Sequence, residues 1–122
     1  HLVSFPGWVK KDAMLANLYQ ADLFLLPKWR TDLTSVLLIE SLACATPAVV
    51  PADTGLAFVA GDAALTFTDG DFRALAAAIA RLGGDNALRL RLARAAVTRM
   101  QGFLNYRPLA DALEKVFISV SG

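Results

Sequence analysis

Two carboxylates, Asp32 and Glu40, stand eight positions apart, and most residues between them are apolar. Glu40 is the more informative. Its neighbours Val36, Leu37, Leu38, Ile39, Leu42, Ala43 and Cys44 make a helix that is apolar nearly all round, which sets the carboxylate in a largely buried place. An ionised carboxylate removed from water without a partner is costly. Glu40 must therefore meet internal donors or the hydroxyls of a ligand, and a ribose diol suits it. On one helix, the two acids are separated by about 12 Å along the axis at 1.5 Å per residue. That spacing excludes a shared proton and fits two grips on opposite ends of an extended ligand. Asp32 is equally suited to capping the helix start, and the two roles are compatible.

An anion has a place in the same segment. A helix that begins at the carboxyl end of a parallel strand aims free backbone N–H groups, and the positive end of its dipole, at whatever lies there. Ser35 and Val36 supply those groups, and Lys28 and Arg30 stand nearby in the preceding loop. A diphosphate fits such a place, although Lys28 and Arg30 read equally well as solvated loop charges. Asp32 or Thr34 is the expected N-cap.

The elements that must position these residues alternate. Leu2 to Phe5 reads as a strand ended by Pro6-Gly7, and a helix follows from about Lys11 to Gln20 with Met14, Leu15, Leu18 and Tyr19 on one face. Asp22 to Leu26 is a second strand, closed by Pro27, and the site helix runs through Cys44 to the breaker Ala45-Thr46-Pro47. Ala48 to Pro51 is a short β-branched strand, Ala52 to Asp62 a loop punctuated by Gly55 and Gly61, and Ala64 to Phe67 a further strand. Asp69-Gly70-Asp71 then opens a helix whose stripe is Phe72, Leu75, Ala76 and Ile79, ending at Gly83-Gly84. Two more helices are predicted, from about Asn86 to Gln101 and from Pro108 to Val120, the latter with Leu109, Ala112, Leu113, Val116 and Phe117 at helical spacing. Strands alternating with helices define an α/β class with a parallel sheet of about four strands flanked by helices. The whole chain, 1–122, is expected to be one domain, with alternating elements to about residue 83 and helices from about 85 onward; the last helices pack across the sheet or reach toward a partner domain.

Composition narrows the chemistry. Twelve Lys and Arg against 11 Asp and Glu give a net charge of +1, which lacks the broad basic footprint of a nucleic-acid binder. A single cysteine, Cys44, and a single histidine, His1, supply neither a disulfide nor a metal-ligand cluster, so no metal and no cofactor is called for. Cys44 is read as a buried structural residue deep in an apolar helix, not a nucleophile. Trp8 and Trp29 fall in loops, where they line a cleft or cover core. No apolar run reaches the ~20 residues of a membrane span and no leader is visible, which points to the cytoplasm. Arg89, Arg91, Arg94 and Arg99 raise the question of peripheral membrane contact, but at about 100° per residue they scatter round the helix. A solvated helix is the expectation. The absence of an initiator Met suggests an excised or truncated piece.

Asp32 through Val50, DLTSVLLIESLACATPAVV, resembles the signature of the GT-B retaining glycosyltransferases of the glycogen-synthase and sucrose-synthase-like group (glycosyl transferases group 1, family 4), roughly E-G-F-G-x-x-x-x-E-A-M-A-C-G-T-P-V-V. Val3-Ser4-Phe5-Pro6-Gly7, Leu15 to Phe24 and Gly61-Asp62-Ala63-Ala64-Leu65 support the resemblance on either side. It implies a Rossmann-like sheet forming the later part of a GT-B C-terminal domain, with a nucleotide-diphosphate sugar as donor substrate and the acceptor site on an N-terminal domain outside the chain. By position, Asp32 matches the carboxylate at the donor sugar and carries the catalytic role. Glu40 matches the ribose-binding carboxylate, and the backbone of Thr34, Ser35 and Val36 the stretch that approaches the phosphates. The departures are Asp32 for Glu, Leu33, Ser35 and Ala45 for glycines, and Phe58 where a Glu is frequent after Gly55-Leu56-Ala57. These leave an alternative open, a degenerate, non-catalytic binding or structural module.

Overall fold

The Ala48-Val49-Val50-Pro51 run forms the central strand of the sheet, and all four of its residues are buried. The structure, a computed structural model, describes residues 3–27, 35–103, 105 and 107–121. Three strands, β1 (Phe24–Leu25), β2 (Ala48–Pro51) and β3 (Ala64–Phe67), lie in the order β1-β2-β3. Both pairings are parallel: Phe24 stands opposite Ala48, and Ala48 opposite Ala64. A parallel sheet requires helices on both faces. Six helices are described: α1 (Lys11–Gln20), α2 (Val36–Ala43), α3 (Gly55–Ala60), α4 (Phe72–Gly84), α5 (Asn86–Phe103) and α6 (Arg107–Ser121).

Successive strand residues face opposite sides, and β2 divides the core accordingly. Ala48 and Val50 pack with Leu38 and Leu42 of α2, Leu56, Val59 and Ala60 of α3, and Ala96 and Met100 of α5. Val49 faces the other side, with Phe67 of β3, Ala78 and Leu82 of α4, and Leu88 and Leu92 of α5. Helix α5 thus contributes its first half to one face and its second half to the other. It crosses the sheet at the edge where the strands begin, in contact with the 3-10 turn Gly61–Ala63 that leads into β3.

Helix α1 and β2 have the expected boundaries, and β1 falls within the expected Asp22–Leu26 run. Four other expectations are corrected. Val3 to Phe5 form no strand; Val3 is 69% and Phe5 92% exposed, with no neighbouring strand among the described residues to pair with. The loop expected from Ala52 to Asp62 contains α3, whose start is capped by Thr54: its hydroxyl accepts from the Ala57 N–H at 3.2 Å and donates to the Pro51 carbonyl at 2.8 Å. Gly55 and Gly61 bracket this helix and do not break a loop. Helix α2 is capped by Ser35, whose Oγ accepts from the Leu38 N–H at 3.4 Å, so neither Asp32 nor Thr34 is the N-cap. In α4 the buried stripe is Ala78 and Leu82 with Ala74 and Leu75 beside it. Phe72 is 79% exposed, because it opens the helix past the carboxyl end of β3, ahead of the sheet.

Two tight turns set the sheet's connections. Helix α2 ends in a Schellman-type turn: the Thr46 N–H donates to the Ser41 carbonyl at 2.9 Å and the Ala45 N–H to that of Leu42 at 3.0 Å. This places Ala45 at φ 59, a left-handed conformation that an L side chain adopts at a cost of about 1–2 kcal/mol. The buried Thr46 hydroxyl donates to the Leu18 carbonyl at 2.6 Å, tying the end of α1 to the start of β2. Helix α3 ends at Gly61, φ 54 and ψ -128, a conformation essentially reserved for glycine. A Cβ there would also meet the Arg99 guanidinium at 2.6 Å.

The two turns respond oppositely to substitution. Ala45→Gly relieves the left-handed strain against a smaller chain-entropy loss, and is expected to stabilise the fold by about 0.5–1 kcal/mol. Gly61→Ala is expected to destabilise it by about 1–3 kcal/mol. Urea unfolding of the two variants beside the parent measures both, and equal signs would contradict the assignment of strain.

Candidate functional site

In a parallel sheet all strands end on one edge, and the segments that follow them share that edge. Here they are the residues after Leu25, after Pro51 and after Phe67. Lys28, Trp29, Arg30, Asp32, Leu33 and Thr34, and with them the donor-binding roles expected of Asp32 and Thr34, lie outside the described residues. Ser35, Val36 and Glu40 are described. Ser35 is half-buried with its hydroxyl committed to the helix start. Val36 is the first residue of α2 and 70% exposed. The N–H groups of a helix's first turn have no intrahelical acceptor, so α2 presents donors where the strands end.

Glu40 lies on the outward side of α2. The helix buries Leu38, Ser41 and Leu42, and at 100° per residue Glu40 is turned to the side opposite Leu38 and Leu42. Its side chain is 19% exposed, half-buried instead of sealed in an all-round apolar setting. It has an internal partner, Lys11 at the start of α1, with Nζ 3.5 Å from Oε1. The spacing i, i+3 and i, i+4 puts Val36, Leu37, Ala43 and Cys44 beside it on the same helix; Val36 and Leu37 are 70% and 41% exposed. A carboxylate flanked by an ammonium and an apolar ledge can accept hydroxyl hydrogens while a flat apolar group lies alongside.

Cys44 is the C-cap of α2 and half-buried, not deep within the helix. Burial pushes its thiol above the ordinary range, and the negative charge of Glu40 pushes it further. It is a poor nucleophile at neutral pH.

Two of the four arginines expected to be solvated are engaged. The Arg99 Nε donates to the Val59 carbonyl at 2.5 Å and its Nη2 to that of Phe58, while the guanidinium sits 5.5 Å from the centre of the Phe103 ring. The Arg89 Nη1 donates to the Leu82 and Gly83 carbonyls at 2.5 and 3.0 Å. Both satisfy carbonyls left open at helix ends. Sequence periodicity could not reveal the Arg99 contact, which spans 40 residues. A recess of about 480 Å³ lined by Thr98, Arg99, Gly102 and Phe103 includes neither Ser35 nor Glu40. Trp8 is 99% exposed and covers no core among the described residues; Trp29 lies outside them.

Comparison with known proteins agrees with this architecture. Residues 1–85 match the family described as Glycosyl transferases group 1. A solved structure of sucrose-phosphate synthase from Thermosynechococcus elongatus superposes with a TM-score of 0.78 at 24% identity, over 96% of this chain and 30% of that one. The chain therefore spans less than a third of that protein, and the likeness speaks to the fold. No curated protein matches the chain.

The proximity of Glu40 to Cys44 has a direct readout. The pH profile for alkylation of Cys44 by iodoacetamide is expected to lie above that of an unstructured cysteine peptide, and Glu40→Gln to move it down by removing the repulsive charge. An unmoved profile would show that the charge does not reach the sulfur.

Proposed function

We propose, for a chain that belongs to the group 1 glycosyl transferases, that it is the donor-binding portion of a retaining hexosyltransferase, the later part of a C-terminal domain. The donor is a nucleotide-diphosphate sugar, and an N-terminal domain outside the chain supplies the acceptor and the second wall of the cleft. One observation carries the reading: Glu40 is held half-buried on the outward face of α2, one turn beyond a helix start at the carboxyl edge of the sheet. In this reading the carboxylate accepts the ribose hydroxyls, and the backbone of Thr34, Ser35 and Val36 donates to the diphosphate. Asp32, eight positions before Glu40 in the sequence, contacts the sugar and carries the catalytic role. The nucleotide-diphosphate sugar is the substrate, and no cofactor enters the proposal.

Both walls are needed to orient the acceptor and exclude water, so the chain alone binds donor without transferring it. Helix α6 supports the two-domain reading: Leu109, Leu113, Val116, Phe117 and Val120 form one apolar stripe, and all are exposed. Among the described residues no helix is long and apolar enough to cross a membrane, and the reading places the chemistry in the cytoplasm.

A second reading has its own support. Phe58, where the family resemblance has Glu, is 76% exposed, and Ala45 stands in a left-handed turn where the resemblance has glycine. On that reading the chain is a non-catalytic module that retains the fold.

Calorimetric titration with UDP, GDP and ADP separates them. The donor reading expects one to bind saturably, with Glu40→Ala lowering affinity by roughly tenfold or more, as for loss of a hydrogen bond to a charged group. Absence of binding by a chain that unfolds cooperatively would favour the non-catalytic module.

A further inference from the structure

We infer that Lys11 is a positioning residue for the ribose end of the donor, acting through Glu40; the inference rests on the donor-binding reading above. The Glu40–Lys11 contact joins the first residue of α1 to the second turn of α2. Lys11 is 72% exposed and Glu40 19%, so water screens the ammonium and the pair does little for the stability of the free chain.

Binding changes that balance. A nucleoside laid over Val36 and Leu37 would cover Glu40 and withdraw water from its carboxylate, which raises the penalty on its charge. An ammonium 3.5 Å from Oε1 offsets that penalty at the moment it arises. It also leaves Oε2, and the remaining lone pairs of Oε1, to accept hydroxyls, since a carboxylate offers about four acceptor sites. Lys11 thereby fixes the rotamer of Glu40 without touching the ribose, and its effect is confined to the hydroxyl end of the ligand.

The test compares whichever of UDP, GDP or ADP binds with its 2′-deoxy counterpart. In the parent chain the ribose form is preferred. Lys11→Met should shrink that preference roughly two- to fivefold, the range of a partly exposed ion pair. Lys11→Arg should restore it, and the effect should fade with added salt. A purely structural contribution would lower the melting temperature and weaken both nucleotides alike, leaving the ratio unchanged. That outcome overturns the role of Lys11 and leaves donor binding standing. Failure of the parent chain to bind any nucleotide removes both proposals together.

Discussion

A four-residue strand with no face open to water governs this structure. β2 is paired in parallel on both sides and covered above and below. Its side chains are small or β-branched, so its stability comes from contact on both faces. Helices α2 and α3 are therefore required on one side and α4 on the other. Because the pairings are parallel, the segments leaving all three strands collect at one edge. The placement of Glu40 near that edge follows from burying Val49 and Val50, not from any interaction Glu40 makes itself.

The turn that delivers the chain from α2 into β2 shows how tightly this is held. Ala45 keeps a left-handed backbone although its methyl group opposes it. The paired carbonyls of Ser41 and Leu42, and the reach of Thr46 to Leu18, over-determine the conformation. Leaving the buried Thr46 hydroxyl without its Leu18 acceptor would cost about 1–3 kcal/mol, comparable to the backbone strain, so the turn persists without glycine. The same logic operates at Gly61, where Arg99 occupies the space above the missing Cβ.

What the sequence made legible follows a physical division. Helix α1 and strand β2 could be bounded because their signals are local: helical spacing of Met14, Leu15 and Leu18 in one, an unbroken apolar β-branched run in the other. Helix α3 was hidden because two glycines, which favour turns by conformational freedom, can equally mark the ends of a six-residue helix; the Thr54 cap was the local signal that could have found it. The isolated Val3 to Phe5 run satisfies strand propensity, but propensity cannot supply a neighbour. Contacts that join distant positions were beyond reach altogether. The partner of Glu40 lies 29 residues earlier, and that of Arg99 lies 40 residues earlier. A carboxylate on an apolar helix signals a need for a partner without identifying it.

The path of α5 gives the sheet two unlike edges. By contributing Leu88 and Leu92 to one cluster and Ala96 and Met100 to the other, it crosses the edge where the strands begin and joins the two halves of the core. Arg89 and Arg99 meanwhile satisfy the ends of α4 and α3, and this edge is closed by packing and hydrogen bonds. The opposite edge carries the start of α2, with Val36 and Leu37 exposed and Glu40 paired, among the described residues, to a solvent-facing lysine. An exposed apolar ledge beside a carboxylate gives the free chain no evident gain in stability: the ion pair is screened and the apolar side chains are wet. Retaining both is intelligible if the edge is completed by a ligand that carries hydroxyls and a flat apolar ring. The fold thus separates an edge closed by packing and hydrogen bonds from an edge where, among the described residues, apolar side chains stay exposed.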